Sequence, residues 1–478
     1  GPADFSSIQA AIDAAVPGDR IAVAAGLYRE TLRLKAGVPV EGAGADRTTV
    51  EGDGLAPVAA LVDCDARTFL QGFTLRGGQA DFGGGVLVRG GAPVVTLNLI
   101  TGNSAASSVP GLYGYGGGIA LLDSDAEVRD NVLSGNSADY GGGLHLEGGA
   151  PRVSRNLISG NTAGVGGGLD AYVFYGSGAT ITGNTLSGNT AAYGGGVELA
   201  GPGQPQVTDN LILGNTASGP ASSGYGGGLD AYYSNAWILS NTLSGNQARV
   251  GGAASIVPDQ SPALVNNILY DNHATITGGA VDLQPGGSIV QANIFFLNTK
   301  GTCSGGAASL CSDPGNLATD PLLADPAAGD FRLRPGSPAI DSAAPAWSPS
   351  EDLRGQRRPL DGDGDRTADP DRGAYEYDAG DLLGLTADPP SAWIWPAAPG
   401  ASSYHVYSAA LSGLRMTGVD VCRDADDPVR TDERFDEPLT PPPGDGFAYL
   451  VTAVVDGVER SPGFDGAGLE RPPPAPCP

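Results

Sequence analysis

The stretch NTLSGNTAAYGGGVEL, residues 184–199, contains one unit of a pattern that runs through much of the chain. It opens with Asn, any residue, an apolar residue, two more residues and Asn. It then passes a short polar run and an aromatic residue, and closes on three glycines and a Val-Glu-Leu alternation. The same hexapeptide stands at 98 (NLITGN), 131 (NVLSGN), 156 (NLISGN), 210 (NLILGN), 241 (NTLSGN), 267 (NILYDN) and 293 (NIFFLN). Glycine clusters start at 83, 116, 141, 166, 194, 226, 251 and 278, in step with the hexapeptides. No helical periodicity of 3.6 residues accompanies the repeat, whereas short β stretches bounded by Gly and Asn fit it. Each unit therefore predicts one coil of a parallel β-helix, stacked at roughly 4.8 Å per layer. Two Asn per coil predict two vertical ladders of side-chain amides, with Asn itself taking the left-handed corner conformation. The glycines are expected at corners or close coil contacts, where a Cβ would not fit.

Composition agrees. The chain has 478 residues, 76 of them Gly, and only 6% aromatic, so its core must be built from small aliphatics. With 26 basic and 53 acidic residues, the net charge of −27 argues against nucleic acid and against an anionic membrane surface. No apolar run approaches the roughly 20 residues of a membrane span. Gly1 in place of Met reads as a processed N-terminus from which an export signal has gone. The cysteines suit two disulfides, Cys303–Cys311 and Cys422–Cys477, with Cys64 free, in an oxidising compartment.

A solenoid needs its ends covered. FSSIQAAIDAAVPGD (5–19) predicts an N-terminal cap helix, with Ser6 and Gln9 as a capping box and Ile8, Ala11, Ile12, Ala15 and Val16 on its buried face. The expected organisation is cap and less regular first coils (1–52), repeats (53–300), C-terminal coils with an acidic loop (301–378), and a separate β-sandwich (379–478).

Several segments carry family resemblances. FSSIQAAIDAAVPGDRIAVAAGLYRE (5–30) resembles the N-terminal segment of secreted right-handed β-helix proteins of the pectate lyase-like superfamily. The pairing of GGG-apolar with apolar-x-x-Asn resembles the repeat motifs of chlamydial polymorphic outer membrane proteins, which are adhesins; here Leu or Ile usually replaces Phe. DPLLADPAAGDFRLRPGSPAIDSA (320–343) and DLRGQRRPLDGDGDRTADPDRGAYEYD (352–378) resemble the C-terminal region of bacterial choice-of-anchor surface proteins. SAWIWPAAPGASSYHVYSA (391–409) and FAYLVTAVVDGVERSPG (447–463) resemble strands of a fibronectin type III-like sandwich, with Trp395 in its core and Tyr404 and Tyr449 on strands. The resemblances imply a right-handed β-helix. They do not select an activity, because lyases, hydrolases, epimerases and adhesins share that fold.

Three features are candidate sites. After each glycine cluster the outer positions are apolar and the middle one varies, so alternation turns the middle residue outward. This predicts an exposed row of His145, Asp170, Glu198 and Asp230, flanked by Glu147, Tyr172, Ala200 and Tyr232, with the two Tyr roughly 10 Å apart. Such a row suits a sugar chain or a cation, and its enzymatic version would use Asp170, Glu198 and Asp230. A second row precedes the glycines: Phe82, Tyr115, Tyr140, Val165, Tyr193 and Tyr225. It is either a stack sealing a corner or a platform for carbohydrate. Longer units at 105–115 and 217–225 predict rims. Third, DGDGDRTADPD (361–371) sets Asp361, Asp363, Asp365 and Asp369 at calcium-loop spacing, with Asp371 to complete the shell. Arg366 and Arg372 depart from an EF-hand, so an irregular calcium loop is the closer comparison.

The only lysines are Lys35 and Lys300, and no Arg falls in the acidic columns, which argues against a β-elimination lyase. The expectation is a secreted or surface-displayed, non-catalytic protein for adhesion, glycan binding or extracellular assembly. Its extended sides allow self-association. The alternative is a polysaccharide lyase or glycoside hydrolase.

Overall fold

The computed structural model describes residues 5–378 except 108, 110, 177, 221, 260, 364 and 365; beyond 378 it describes the backbone of seven strands. The repeats form a right-handed parallel β-helix. Three parallel sheets of eleven strands run along it, with a shorter fourth sheet of eight. One coil shows the order: Val197–Ala200 in the front sheet, Gln206–Thr208 in the second, Leu211–Leu213 in the third and Thr216–Ala217 in the fourth. The glycine turn then delivers the chain to Leu229–Ser234, the next front strand. Val197 and Leu199 point inward with Val207 and Ile212, all at 0% exposure, and their counterparts in neighbouring coils continue one core column. The first coils are regular, since Ile21–Val23, Gly26–Arg29 and Leu32–Arg33 already begin the three long sheets.

Both Asn ladders form, and all but their last members, Asn298 and Asn316, are buried. At Asn161 the backbone N–H and the side-chain Nδ2 both donate to Oδ1 of Asn189, each at 3.0 Å, while Nδ2 also donates to the Leu133 carbonyl at 3.0 Å. Every rung repeats this, so two corners of the coil are closed by side chains standing in for absent backbone partners. The ladder from Asn98 ends on Asn316, which lies outside the hexapeptide pattern and accepts from Asn293. The left-handed residue is not Asn, as expected, but the one before it: Leu97, Asp130, Arg155 and Asp209 at one corner, and Gly102, Gly135, Gly160 and Gly188 at the other. Asn is there for its hydrogen bonds, and its own backbone is unstrained.

The cap helix spans Ile8–Ala14 and buries Ile8 and Ile12. Its N-cap is Ser7, whose Oγ accepts from Ala10 N at 3.0 Å, rather than Ser6. Val16, expected on the buried face, lies beyond the helix and is 61% exposed. At the other end the Cys303–Cys311 disulfide forms, and both cysteines pack against the core with Leu310. Cys64 is a buried free thiol.

The chain divides into two compact units, so the expected 301–378 region is split. The β-helix unit takes 1–321, 343–349 and 372–374. The second takes 322–342, 350–371 and 375–478. It opens with an antiparallel hairpin of Leu323–Asp325 and Asp330–Leu333. Its later strands make one three-stranded and one four-stranded antiparallel sheet. Trp395 and Cys477 lie outside the described residues, as do the side chains of Tyr404, Tyr449 and Cys422.

Replacing Asn161 by Ala should cost about 3 kcal/mol, because it leaves buried donors and an acceptor unpaired. Replacing Asn298, at the half-buried end of its ladder, should cost less. Thermal melts of the two variants check this; equal losses would contradict the ladder's role.

Candidate functional site

Register brings the middle column together as the alternation required. Ala120, His145, Asp170, Glu198, Asp230, Ser255 and Asp282 are successive partners across the front sheet. The expected exposure is corrected. His145, Asp170, Glu198 and Asp230 point away from the core, yet are only 2%, 3%, 4% and 4% exposed. The cause is the glycine turn. Gly194 has φ +57°, and a Cβ there would lie 2.8 Å from Oε2 of Glu198. A Cβ on Gly166, at φ +62°, would meet Cβ of Asp170 at 2.6 Å. The chain thus folds back over the carboxylates, and only glycine leaves room for them.

That fold-back turns two candidate sites into one. The residues preceding the glycines pair coil to coil and line the same cavity as the carboxylates. Phe82, Tyr115 and Tyr140 stack with ring centroids 5.2 Å apart at each step, and Tyr193 and Tyr225 stack at 6.2 Å; Val165 interrupts the series. The cavity has a volume of about 850 Å³. Tyr172 and Tyr232 stand at its lip, 42% and 51% exposed, on either side of Ala200. Each meets a second aromatic edge-on, Phe174 at 5.2 Å and Tyr233 at 4.6 Å. The expected rims contribute as well. Ser222 lines the cavity and its carbonyl accepts from the Tyr193 hydroxyl at 2.7 Å, while Tyr113 packs edge-on to Tyr140.

The polar groups differ in how they are satisfied. His145 Nδ1 lies 2.6 Å from Oδ2 of Asp170, and its Nε2 is 3.8 Å from Glu147. Burial pulls the imidazole pKa down, but the bonds to Asp170 and Glu147 outweigh it and the net shift is upward. Glu147 is lowered by His145. Asp282 accepts from Ser304 Oγ at 2.6 Å and from Gln284 Nε2 at 2.7 Å. Between these pairs, Oε2 of Glu198 and Oδ1 of Asp230 are buried without a hydrogen-bond partner. Burial, then the charges of Asp230 and Asp170, pushes Glu198 well above the carboxylate range. Burial pushes Asp230 up to about 7, against a hydrogen bond to Ser255. Burial and mutual repulsion thus favour the protonated forms of Glu198 and Asp230, and one oxygen of each is left buried without a donor.

Glu147, expected beside the row, lines the site, and Asp282, Ser255 and Gln284 belong to it although the row of candidates stopped short of them. Their signal was present, since each falls in one of the two aligned columns. Ser222 had no signal beyond the length of its loop.

The acidic loop is rearranged. Asp341, Asp361 and Asp363 each offer a carboxylate oxygen within 4.8 Å of the others, so Asp341 joins a set in which it was not expected. Asp371 is buried, and its oxygens accept from the backbone N–H groups of Asp341 and Tyr377. Asp369 bridges to Leu360, and Asp365 lies outside the described residues.

Residues 60–248 match a family model described as "Right handed beta helix region". No curated protein sequence matches the chain. Among solved structures it is similar to the Dettilon tailspike protein gp208, at 15% identity and a TM-score of 0.34, over 62% of this chain and 63% of that one. It is also similar to the catalytic unit of a GH87 α-1,3-glucanase from Streptomyces thermodiastaticus, at 17% identity and a TM-score of 0.38, over 65% of each chain. A third is the PL6 family polysaccharide lyase Pedsa3628 from Pseudopedobacter saltans, at 12% identity and a TM-score of 0.37, over 71% of this chain and 97% of that one. The chain spans less than two thirds of the first two. These likenesses concern fold alone, and the chain is a right-handed parallel β-helix.

Proposed function

We propose that the protein is a glycan-binding protein of the cell exterior that holds a sugar chain along the groove of the front sheet. The observation that carries this reading is the convergence of the two rows. A column of carboxylates, two of them with an unpartnered oxygen, faces a wall of tyrosines across one concave cavity, and exposed tyrosines stand at its mouth. Carboxylates accept sugar hydroxyls, and aromatic rings cover the apolar faces of sugars. The Cys303–Cys311 disulfide supports an oxidising, extracellular setting. Adhesion and matrix assembly are the roles such a surface serves.

One observation favours a second, catalytic reading. Burial beside Asp230 and Asp170 pushes Glu198 well above the carboxylate range, which is how a hydrolase separates a general acid from its partner. Incubation with a glycan library separates the readings. Retention of glycans without new reducing ends supports binding. Release of products by the wild type but not by Glu198→Gln supports hydrolysis.

Tyr172→Ala and Tyr232→Ala should each weaken glycan binding about tenfold, as the loss of one stacked aromatic does. Calorimetric titration checks this, and unchanged affinity in both would contradict the groove.

The buried acids also give stability a direction with pH. Asp230 titrates near 7 in the folded chain and near 4 when unfolded, and Glu198 is shifted the same way. Their folded forms keep protons that the unfolded chain releases, so their contribution is fully present at low pH and is lost as pH rises through about 7. The melting temperature should therefore fall more between pH 5 and pH 8 in the wild type than in Asp230→Asn. Parallel pH profiles would contradict the burial of Asp230.

A further inference from the structure

The groove's ligand can be specified further, on the reading that the groove is a glycan site. We propose that it takes a glycan bearing free amino groups, with an ammonium nitrogen held between Glu198 and Asp230.

The first argument is charge. Five carboxyl groups line the cavity: Glu147, Asp170, Glu198, Asp230 and Asp282. Among the described residues lining it, His145 is the one side chain able to carry positive charge, and it is engaged by Asp170. An acidic polysaccharide would add like charge to a buried acidic column. A neutral one brings no charge to replace the protons that Glu198 and Asp230 favour. An ammonium group offsets the acidic charge and brings several N–H donors to a place where acceptors lack them.

The second argument is hydrogen bonding. Oε2 of Glu198 and Oδ1 of Asp230 are buried without a partner, on two residues that line the cavity. Most of the groups around them have partners. On one side Asp170 is bonded to His145 Nδ1, while His145 Nε2, 3.8 Å from Glu147, is another buried atom without a hydrogen-bond partner. On the other, Asp282 is tied to Ser304 and Gln284, and Ser255 is beside Asp230. The facing wall offers Tyr193 and Tyr225, and the Tyr193 hydroxyl donates to Ser222.

The third argument is spacing, which separates an ammonium from a metal ion. Among the described residues, the three carboxylates close enough to share one ion are Asp341, Asp361 and Asp363, none of which lines the groove. The groove's carboxylates are instead spread at one per coil, about 4.8 Å apart. That rise is close to the length of one pyranose unit in an extended chain. An ammonium needs only the two carboxylates of adjacent coils, whereas a bare metal ion needs several oxygens gathered around one point.

The test is calorimetric titration of the full chain at about pH 6 with three oligosaccharides of equal length. These are a glucosamine oligomer, its fully N-acetylated counterpart and a galacturonate oligomer. The glucosamine oligomer should bind at least about tenfold more tightly than the acetylated one, and galacturonate least. Its binding should also release protons from Asp230 and Glu198, seen as heats that depend on the ionisation enthalpy of the buffer; the acetylated oligomer should release none. The Glu198→Gln, Asp230→Asn double variant removes buried like charge and should stay folded. It should lose the preference and the proton release while still binding the acetylated chain. Equal or tighter binding of the acetylated oligomer would overturn the amino-sugar assignment and leave the glycan groove standing. Failure of all three to bind, with the fold verified by circular dichroism, would overturn both.

Discussion

The structure depends on the coils staying in phase. In this chain phase is imposed by side chains, because each corner Asn donates its backbone and amide N–H groups to the Asn of the next coil and returns one to a carbonyl. A coil displaced by one residue would break a whole rung on each ladder and turn core residues to solvent. Extra residues are therefore accepted only where no ladder passes. The longer coils place them at 105–115 and 217–225, between the fourth sheet and the glycine turn. Both insertions reach the candidate groove, which lies at the face where the scaffold tolerates variation.

Phase turns sequence columns into physical rows, and the rows set up a conflict. The middle position of the front strand lies outside the core, so the fold places no apolar demand on it. The glycine turn nevertheless covers it with the preceding strand. Acidic residues there are desolvated beside one another, which destabilises the ionised forms. At both ends the chain relieves this, with His145 against Asp170 and with Ser304 and Gln284 on Asp282. In the middle Ser255 bonds to Asp230, yet one oxygen each of Glu198 and Asp230 stays buried without a partner. A scaffold selected for stability alone would fill those positions with Ala or Ser, as the coils of Ala120 and Ser255 do. The unrelieved pair is why the groove reads as a ligand site rather than as acidic decoration of the surface.

Much of this was legible in the sequence. The hexapeptides and glycine clusters specify the fold, the register and the membership of each column, since one side chain per coil leaves little else to determine. Two things were not legible. Alternation says which way a side chain leaves the sheet, but not what returns over it; the turn at Gly166 and Gly194 made an expected exposed row into a buried one. For the same reason the tyrosine row and the carboxylate row looked like separate candidates, though they are the two walls of one cavity. Asp341 escaped the acidic loop because it approaches Asp361 and Asp363 from another segment of chain, a contact that spacing along the loop does not encode.

The account rests on Glu198 and Asp230 being buried together in the groove and holding protons there. Carboxyl-detected NMR titration of the free protein, with the Glu198→Gln and Asp230→Asn variants to assign the two signals, measures this directly. The account predicts that Asp230 titrates near 7 and Glu198 well above the ordinary carboxylate range. Midpoints near 4 for both would mean that the two groups are solvated, and would contradict the covered groove from which the function is inferred.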